Sequence, residues 1–157
     1  MAILNNQKLL ALWAADCAQH VLKYFEKEHK DNRPRNAIKA AGDWAKGKIR
    51  CEEARKAALA AHAAARRAGH FTASQFAARA AGHAAATAHV AQHAFGAAYY
   101  ALKVFTAADS ANLIKMAIKI AKEQSWQLQR LPKNLKPKWR DWQSRRLPKR
   151  LRPIMKI

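Results

Sequence analysis

The stretch ARKAALAAHAAARRAGHFTASQFAARAAGHAAATAHVAQHAFGAAYYA, residues 54–101, decides the fold. Twenty-three of its 48 positions are alanine, and set among them are Arg55, His62, Arg66, His83, Thr87, His89 and His93. Alanine loses no side-chain entropy in a helix, so this segment is expected to be helical almost throughout. Alanine also lets helix axes approach to the low end of the usual spacing of about 8–10 Å. The few long polar side chains then project from crowded surfaces, where each needs a partner. No acid lies between residues 80 and 102. The histidines and arginines are therefore expected to reach across to Asp16, Asp31 or Asp43 on the first two helices, making this stretch the polar-pinned centre of a bundle.

Upstream, Leu9, Leu10, Trp13, Cys17, Val21 and Phe25 recur at steps near 3.6. That period predicts a helix from a cap at Asn5 or Asn6 to about Lys27. Asp16 and His20 sit four apart on it and can touch. The run EKEHKDNRPR (26–35) breaks it, with Asp31 a candidate cap for a second helix and Pro34 tolerated in its first turn. That helix carries Ile38, Ala41 and Trp44 and should stop at Gly47. A third is expected over about residues 51–68. Glu52 and Glu53 at its start and Arg66 and Arg67 at its end suit the helix dipole, and Gly69 suits a left-handed cap.

Thr72 followed by Gln75 forms a capping box that opens a fourth helix. Beyond it, one long helix, or two broken near Val90 or Gly96, fits as far as residues 106–110. Asp109 or Ser110 is then expected to cap a helix carrying Leu113, Ile114, Ala117, Ile120 and Ala121 and reaching Trp126. Nothing reads as a strand. The expected fold is all-α: a compact alanine-rich bundle of about six to seven helices with a basic C-terminal tail.

The chain of 157 residues is the size of one domain, and its formal charge is +20, from 30 Lys and Arg against 10 Asp and Glu. Half of that excess lies in residues 122–157, which hold 12 cations and two acids, Glu123 and Asp141. Such a field points to an acidic partner: a protein surface, nucleic acid or an anionic membrane. Cys17 and Cys51 have no paired spacing, which suits a reducing compartment and gives neither a disulfide framework nor a zinc knuckle. The apolar run 9–15 is short for a signal core and Asp16 interrupts it, so the expected location is cytoplasmic.

The last 32 residues repeat a unit at a period of 16: Trp126-Gln127 leading to Arg130-Leu131-Pro132-Lys133, then Trp142-Gln143 leading to Arg146-Leu147-Pro148-Lys149. Each Leu-Pro step should end a helix, because proline disfavours the α conformation at the residue before it. Among Trp126, Trp139 and Trp142 are interleaved Arg130, Lys133, Lys138, Arg140, Arg145, Arg146, Lys149, Arg150 and Arg152. Aromatic rings among cations can stack on bases while the cations meet phosphates. The alternative is that each tryptophan anchors the tail to the bundle while the charges face water.

Complete catalytic sets are absent. His89 and His93 at i, i+4 could chelate a metal, but further ligands would have to come from elsewhere, and the plainer role is hydrogen bonding across alanine-lined interfaces. Cys17 or Asp16 with His20 could be drawn as a reactive pair, yet residues three or four apart on a helix meet by default. There is no glycine-rich phosphate loop or nucleophile elbow. Residues 80–102 carry no formal charge, but their histidines and alanines make a poor membrane span. No cofactor, metal, membrane anchor or enzymatic activity is expected.

Residue by residue, WAADCAQHVL (13–22), DNRPRNAI (31–38), Trp44 with Gly47, ARKAALAAHAAAR (54–66) and AARAAGHAAATAHVAQHA (77–94) resemble the Imm-five-like immunity-protein family of bacterial polymorphic toxin systems. Tyr99, Lys103 and the Trp126…Leu131-Pro132 ending agree with it, so that the resemblance covers roughly 9–137. The interspersed Asp16, Cys17, His20, Asp31, Arg33, Pro34, Arg35 and histidines carry more weight than the alanines. Two departures stand out: Ala91 where the family tends to have proline, and the second copy of the tail unit. The resemblance implies a bundle over 1–137 with 138–157 as a basic extension. It also implies a protein that binds and neutralises a partner toxin without catalysis. The charge favours an acidic toxin surface over mimicry of nucleic acid. A nucleic-acid-binding protein using its basic tail is the alternative.

Overall fold

The computed structural model describes residues 2–146, with side chains from Asn5 onward, and every regular element in them is helical. In chain order these are α1 (Ala2–Val21), α2 (Lys23–Glu26), α3 (Arg33–Ala45), α4 (Cys51–Arg67), α5 (Ala73–Ala86), α6 (His93–Ala108), α7 (Leu113–Arg130), a 3-10 turn (Lys133–Leu135) and α8 (Lys136–Arg146). Seven of them are 11 residues or longer, and α2 is a single turn that continues α1 past Leu22. The molecule is an all-helical bundle.

The alanine-rich stretch supplies its centre. Ten of the 14 residues of α5 are buried, and the helix packs against α1, α3, α4 and α6. Seven of those ten are alanine, and Gly82 is another. Trp13, Cys17 and Val21 on α1 and Phe25 on α2 join the same core, together with Ile38 on α3 and Phe95 and Val104 on α6. Leu9, expected on that face, is exposed. Trp44 packs separately with Ala11, Ala54 and Ala88.

Helix ends follow local chemistry, with corrections. α1 begins at Ala2, upstream of Asn5 and Asn6, so neither caps it. Asp31 accepts the Arg33 N–H at 3.0 Å, satisfying the first orphan donor of α3 from two residues before the helix, while Asn32 at the N-cap position makes no side-chain cap. Thr72 Oγ1 accepts from Gln75 N–H at 3.0 Å, while the Gln75 side chain reaches back one residue further than expected, to the N–H of Phe71. Phe71 itself takes a positive φ of 56°. Asn112, not Asp109 or Ser110, caps α7 by accepting from Lys115 N–H at 2.9 Å. α7 runs past Trp126 and stops at Arg130, immediately before Leu131-Pro132. The second Leu-Pro step lies outside the described residues.

Of the two readings left open beyond Thr72, the structure has two helices, broken over residues 87–92, with Gly96 inside α6. Ala91 does not prevent the break. Thr87 Oγ1 donates back to the His83 carbonyl at 3.1 Å, a bond that competes with helix continuation. Gln7 Nε2 on α1 donates to the Thr87 and Ala88 carbonyls at 2.8 and 3.2 Å. Carbonyls that lose helical partners are thus satisfied from a neighbouring helix, which replaces the local signal that proline would have provided.

Candidate functional site

Three polar regions emerge: a histidine group inside α4–α6, a seam between α1 and α7, and the basic surface of α8.

The histidines meet one another, not the acids of the first helices. His83 Nδ1 lies 3.1 Å from His93 Nδ1, the His62 ring stands edge-on to His83 at 5.1 Å, and His89 is 5.2 Å from His93. Tyr100 stacks on His83 at 5.2 Å. Two glycines admit these rings: a Cβ on Gly82 would fall 2.6 Å from the His62 ring, and one on Gly96 would fall 2.8 Å from His83 Nδ1. Burial, then Arg79 and neighbouring cationic groups, lowers the pKa of His62 to about 4. Burial, then His62 and His93, lowers that of His83 to about 3. Burial and His89 lower His93 too. All three are neutral at pH 7, and the 3.1 Å contact is then an imidazole donating to an imidazole. The notion of His89 and His93 as a chelating pair gives way to this His83–His93 contact. Among the described residues, no group of three or more His, Cys, Asp or Glu side chains is placed to hold a metal ion.

The acids expected as partners pair elsewhere. Asp31 holds Arg33 two residues on, and that bond keeps its carboxyl below the usual range. Asp43 pairs with Lys39 on its own helix, and Arg35 with Glu26. Arg55, Arg66 and His89 are exposed. Both acids are taken by cations two or four positions away on the chain, Asp31 by Arg33 and Asp43 by Lys39.

Asp16, Cys17 and His20 belong to the second region. His20 Nδ1 is 2.7 Å from Glu123 Oε2, a carboxylate only 2% exposed on α7. Gln127 Nε2 donates to Glu123 Oε1 at 3.1 Å and to the Ala98 carbonyl at 3.0 Å, and Trp13 Nε1 donates to the Gln127 carbonyl at 2.9 Å. His20 stacks on Trp126, Arg130 lies over the Trp126 ring at 4.7 Å, and Arg130 Nε is 3.8 Å from Asp16. Asp16 is thus the partner of Arg130, and Glu123 takes the place expected for Asp16 beside His20. Burial raises the Glu123 pKa against the opposing pull of His20. Burial, then Glu123 and Asp16, raises the Cys17 thiol well above its usual value, so it stays protonated and is a core residue instead of an attacking thiolate. Glu123 and Gln127 escaped the sequence reading. The available signal was Glu123 as the only acid between Ser110 and Arg140, four residues before a glutamine.

The third region is cationic. Arg130, Lys133, Lys138, Arg140, Arg145 and Arg146 are exposed on the end of α7, the 3-10 turn and α8. Lys149, Arg150 and Arg152 lie outside the described residues. Arg145 pairs with Asp141, and Arg146 lies over Trp142 at 4.0 Å and Tyr99 at 5.7 Å. Trp139 is 1% exposed, edge-on to Trp13 at 5.7 Å and stacked with Trp142 at 5.4 Å. A groove of about 430 Å³ opens beside it, lined by Gln7, Gln92, Phe95, Lys138 and Trp142 among others. Among the described residues, no helix is long and apolar enough to cross a membrane.

Two buried polar atoms in these regions, His62 Nδ1 and Gln127 Oε1, have no hydrogen-bond partner within the protein. No curated protein and no solved structure matches the chain. The family model described as "Imm-5 like putative immunity protein" matches residues 3–134, from the first turn of α1 into the 3-10 turn that precedes α8. With that match over most of its length, the chain belongs to the Imm-5 like family of immunity proteins.

Proposed function

We propose that this chain binds and neutralises a cognate bacterial toxin in the cytoplasm, by covering the toxin's active site or an exosite and without catalysis of its own. The family match over residues 3–134 carries this reading. The charge of +20 supports a toxin with an acidic surface, approached through electrostatic steering. The exposed cations from Arg130 to Arg146 are one proposed contact surface. Two free cysteines, one fully buried and protonated, are consistent with a reducing compartment and a non-catalytic role. Residues 138–157 are read as an addition to the family domain, since the match ends at 134.

The test is co-expression with the toxin encoded in the neighbouring reading frame. Survival of cells that the toxin alone kills, and a complex that co-purifies, is the expected result. Killing that proceeds undiminished with no complex would reject the proposal. A duplex titration separates the nucleic-acid alternative, which requires binding that weakens steeply with salt and disappears on deleting residues 138–157.

A further inference from the structure

α7 is covered at one end and bare at the other. Its last turns are held by Glu123 and Gln127, whereas Leu113, Ile114 and Ile118 in its first turns are 69, 76 and 50% exposed. Ala117 and Ala121 are exposed as well. Positions 114, 117, 118 and 121 follow helical spacing, so they form one continuous apolar stripe on the water side. Three of the eight exposed large hydrophobic residues of the described chain, Leu113, Ile114 and Ile118, fall within residues 113–118. Scattered surface apolar residues need no explanation, but an apolar cluster rimmed by charge marks an interaction surface.

The rim is basic. Lys115 and Lys119 are held by Asp109, at 3.0 and 2.8 Å, from a carboxylate whose side chain is 6% exposed. One carboxylate offsets one of these two ammonium groups, and Lys122 adds a third. Asn112, Ile114, Ile118 and these three lysines line a depression of about 440 Å³. Because Asp109 is anchored, the two lysines it holds are pre-positioned, and a partner does not have to order them.

We infer that this face of α7 is a docking site for a protein partner that presents an apolar ridge flanked by Asp and Glu, and that the ridge belongs to the toxin. The inference rests on the toxin-binding reading above. Charge selects this occupant. A second copy of the chain brings another +20. Residues 147–157 of the same chain, LPKRLRPIMKI, carry four cations and no acid, and would be repelled by the lysines. An anionic bilayer meets the charge requirement but not the shape: the stripe is narrow, has no aromatic residue, and borders a depression that fits a protruding side chain better than a flat surface.

The test uses the full chain and the double variant Ile114→Ser/Ile118→Ser, with Leu59→Ser as an exposed apolar control on α4. Affinity for the neighbouring toxin is measured by calorimetry. The double variant should lose at least about a hundredfold in affinity, with the control unchanged. Equal affinities would overturn this face as the docking site while leaving the proposed function intact. A wild-type chain that binds no toxin would reject the function. The face is then judged by a synthetic amphipathic helix with Leu at i, i+4 between Glu residues, followed by fluorescence anisotropy. Saturable binding lost in the double variant supports the face, and its absence overturns it. Vesicles of phosphatidylserine, or self-association in the ultracentrifuge, lost on the same substitution would overturn it in favour of a membrane or a second copy. A rise in hydrogen exchange over residues 113–119 on deleting 147–157 would overturn it in favour of the tail.

Discussion

Gly96 and His83 illustrate how much of this core is decided by single atoms. The His83 ring fills the space where a Cβ at position 96 would sit, with Cγ only 3.0 Å from that point. Cγ lies next to the backbone and cannot swing aside, and Tyr100 and His93 close the remaining directions. Gly96→Ala is expected to lose about 1–2 kcal/mol, as overpacking exceeds the gain in helix propensity. Gly42 on α3 has nothing within 4 Å of its virtual Cβ, so Gly42→Ala should instead gain up to about 1 kcal/mol. Urea unfolding of the two variants, with opposite shifts in midpoint, checks the pair. The same histidines predict the acid side of stability. His62 and His83 are neutral in the fold, at pKa about 4 and about 3, but take up protons near 6.5 when unfolded. Their contribution is complete above pH 6.5 and is lost as pH falls toward 4, with a slope of up to about 1.4 kcal/mol per pH unit for each. His62 is partly exposed and contributes less. Asp31, Asp43 and Asp109, with lowered pKa values, act only below the usual carboxylate range, and Glu123, with a raised one, works in the opposite sense. Unfolding measured from pH 7.5 to 4.5 should show the slope, and His83→Gln should flatten it.

At the scale of the element, α8 shows how weak a periodicity can be and still describe a docked helix. Apart from Trp139 and Trp142 its side chains are mainly charged or polar, and no apolar stripe announces it. It is seated by two tryptophans, Trp139 against Trp13 and Phe95, and Trp142 against Phe95 and Tyr99. Trp139→Ala is therefore expected to cost about 3–5 kcal/mol, read as a lower unfolding midpoint, with α8 amides losing hydrogen-exchange protection first. α7 is the converse. Leu113, Ile114, Ala117, Ile120 and Ala121 read as a core-facing set, yet of these five only Ile120 packs against the core. Helical periodicity identifies an apolar face and is silent on whether anything covers it.

For the whole molecule, the unequal sums of 30 cations and 10 acids govern how it meets a partner. Buried pins consume few of the charges, since Glu123 and Asp109 are the only acids buried among the described residues. Most cations therefore contribute to a long-range field. Association with an acidic toxin should be fast at low salt and slow by about tenfold or more between 50 and 500 mM salt, with dissociation little altered. Stopped-flow mixing at the two salt concentrations measures both rates. A rate insensitive to salt would mean that an apolar contact, not the charge, governs encounter.

The all-helical fold, most helix ends and the family membership were legible in the residues themselves. Alanine content, the Thr72 cap, Gly69, Pro34 and Leu131-Pro132 each act within a few positions along the chain, and local chemistry is what a sequence specifies directly. Partners across helices were not legible. His20 took Glu123, 103 positions away, instead of Asp16 on its own helix, and the histidines of α4–α6 found each other instead of acids. The carbonyls of Thr87 and Ala88 in the break over 87–92 take their partner from Gln7 on α1. Such pairings depend on where helices cross and how closely their alanine and glycine surfaces let them approach. Many residues are within reach in principle, and packing alone selects among them.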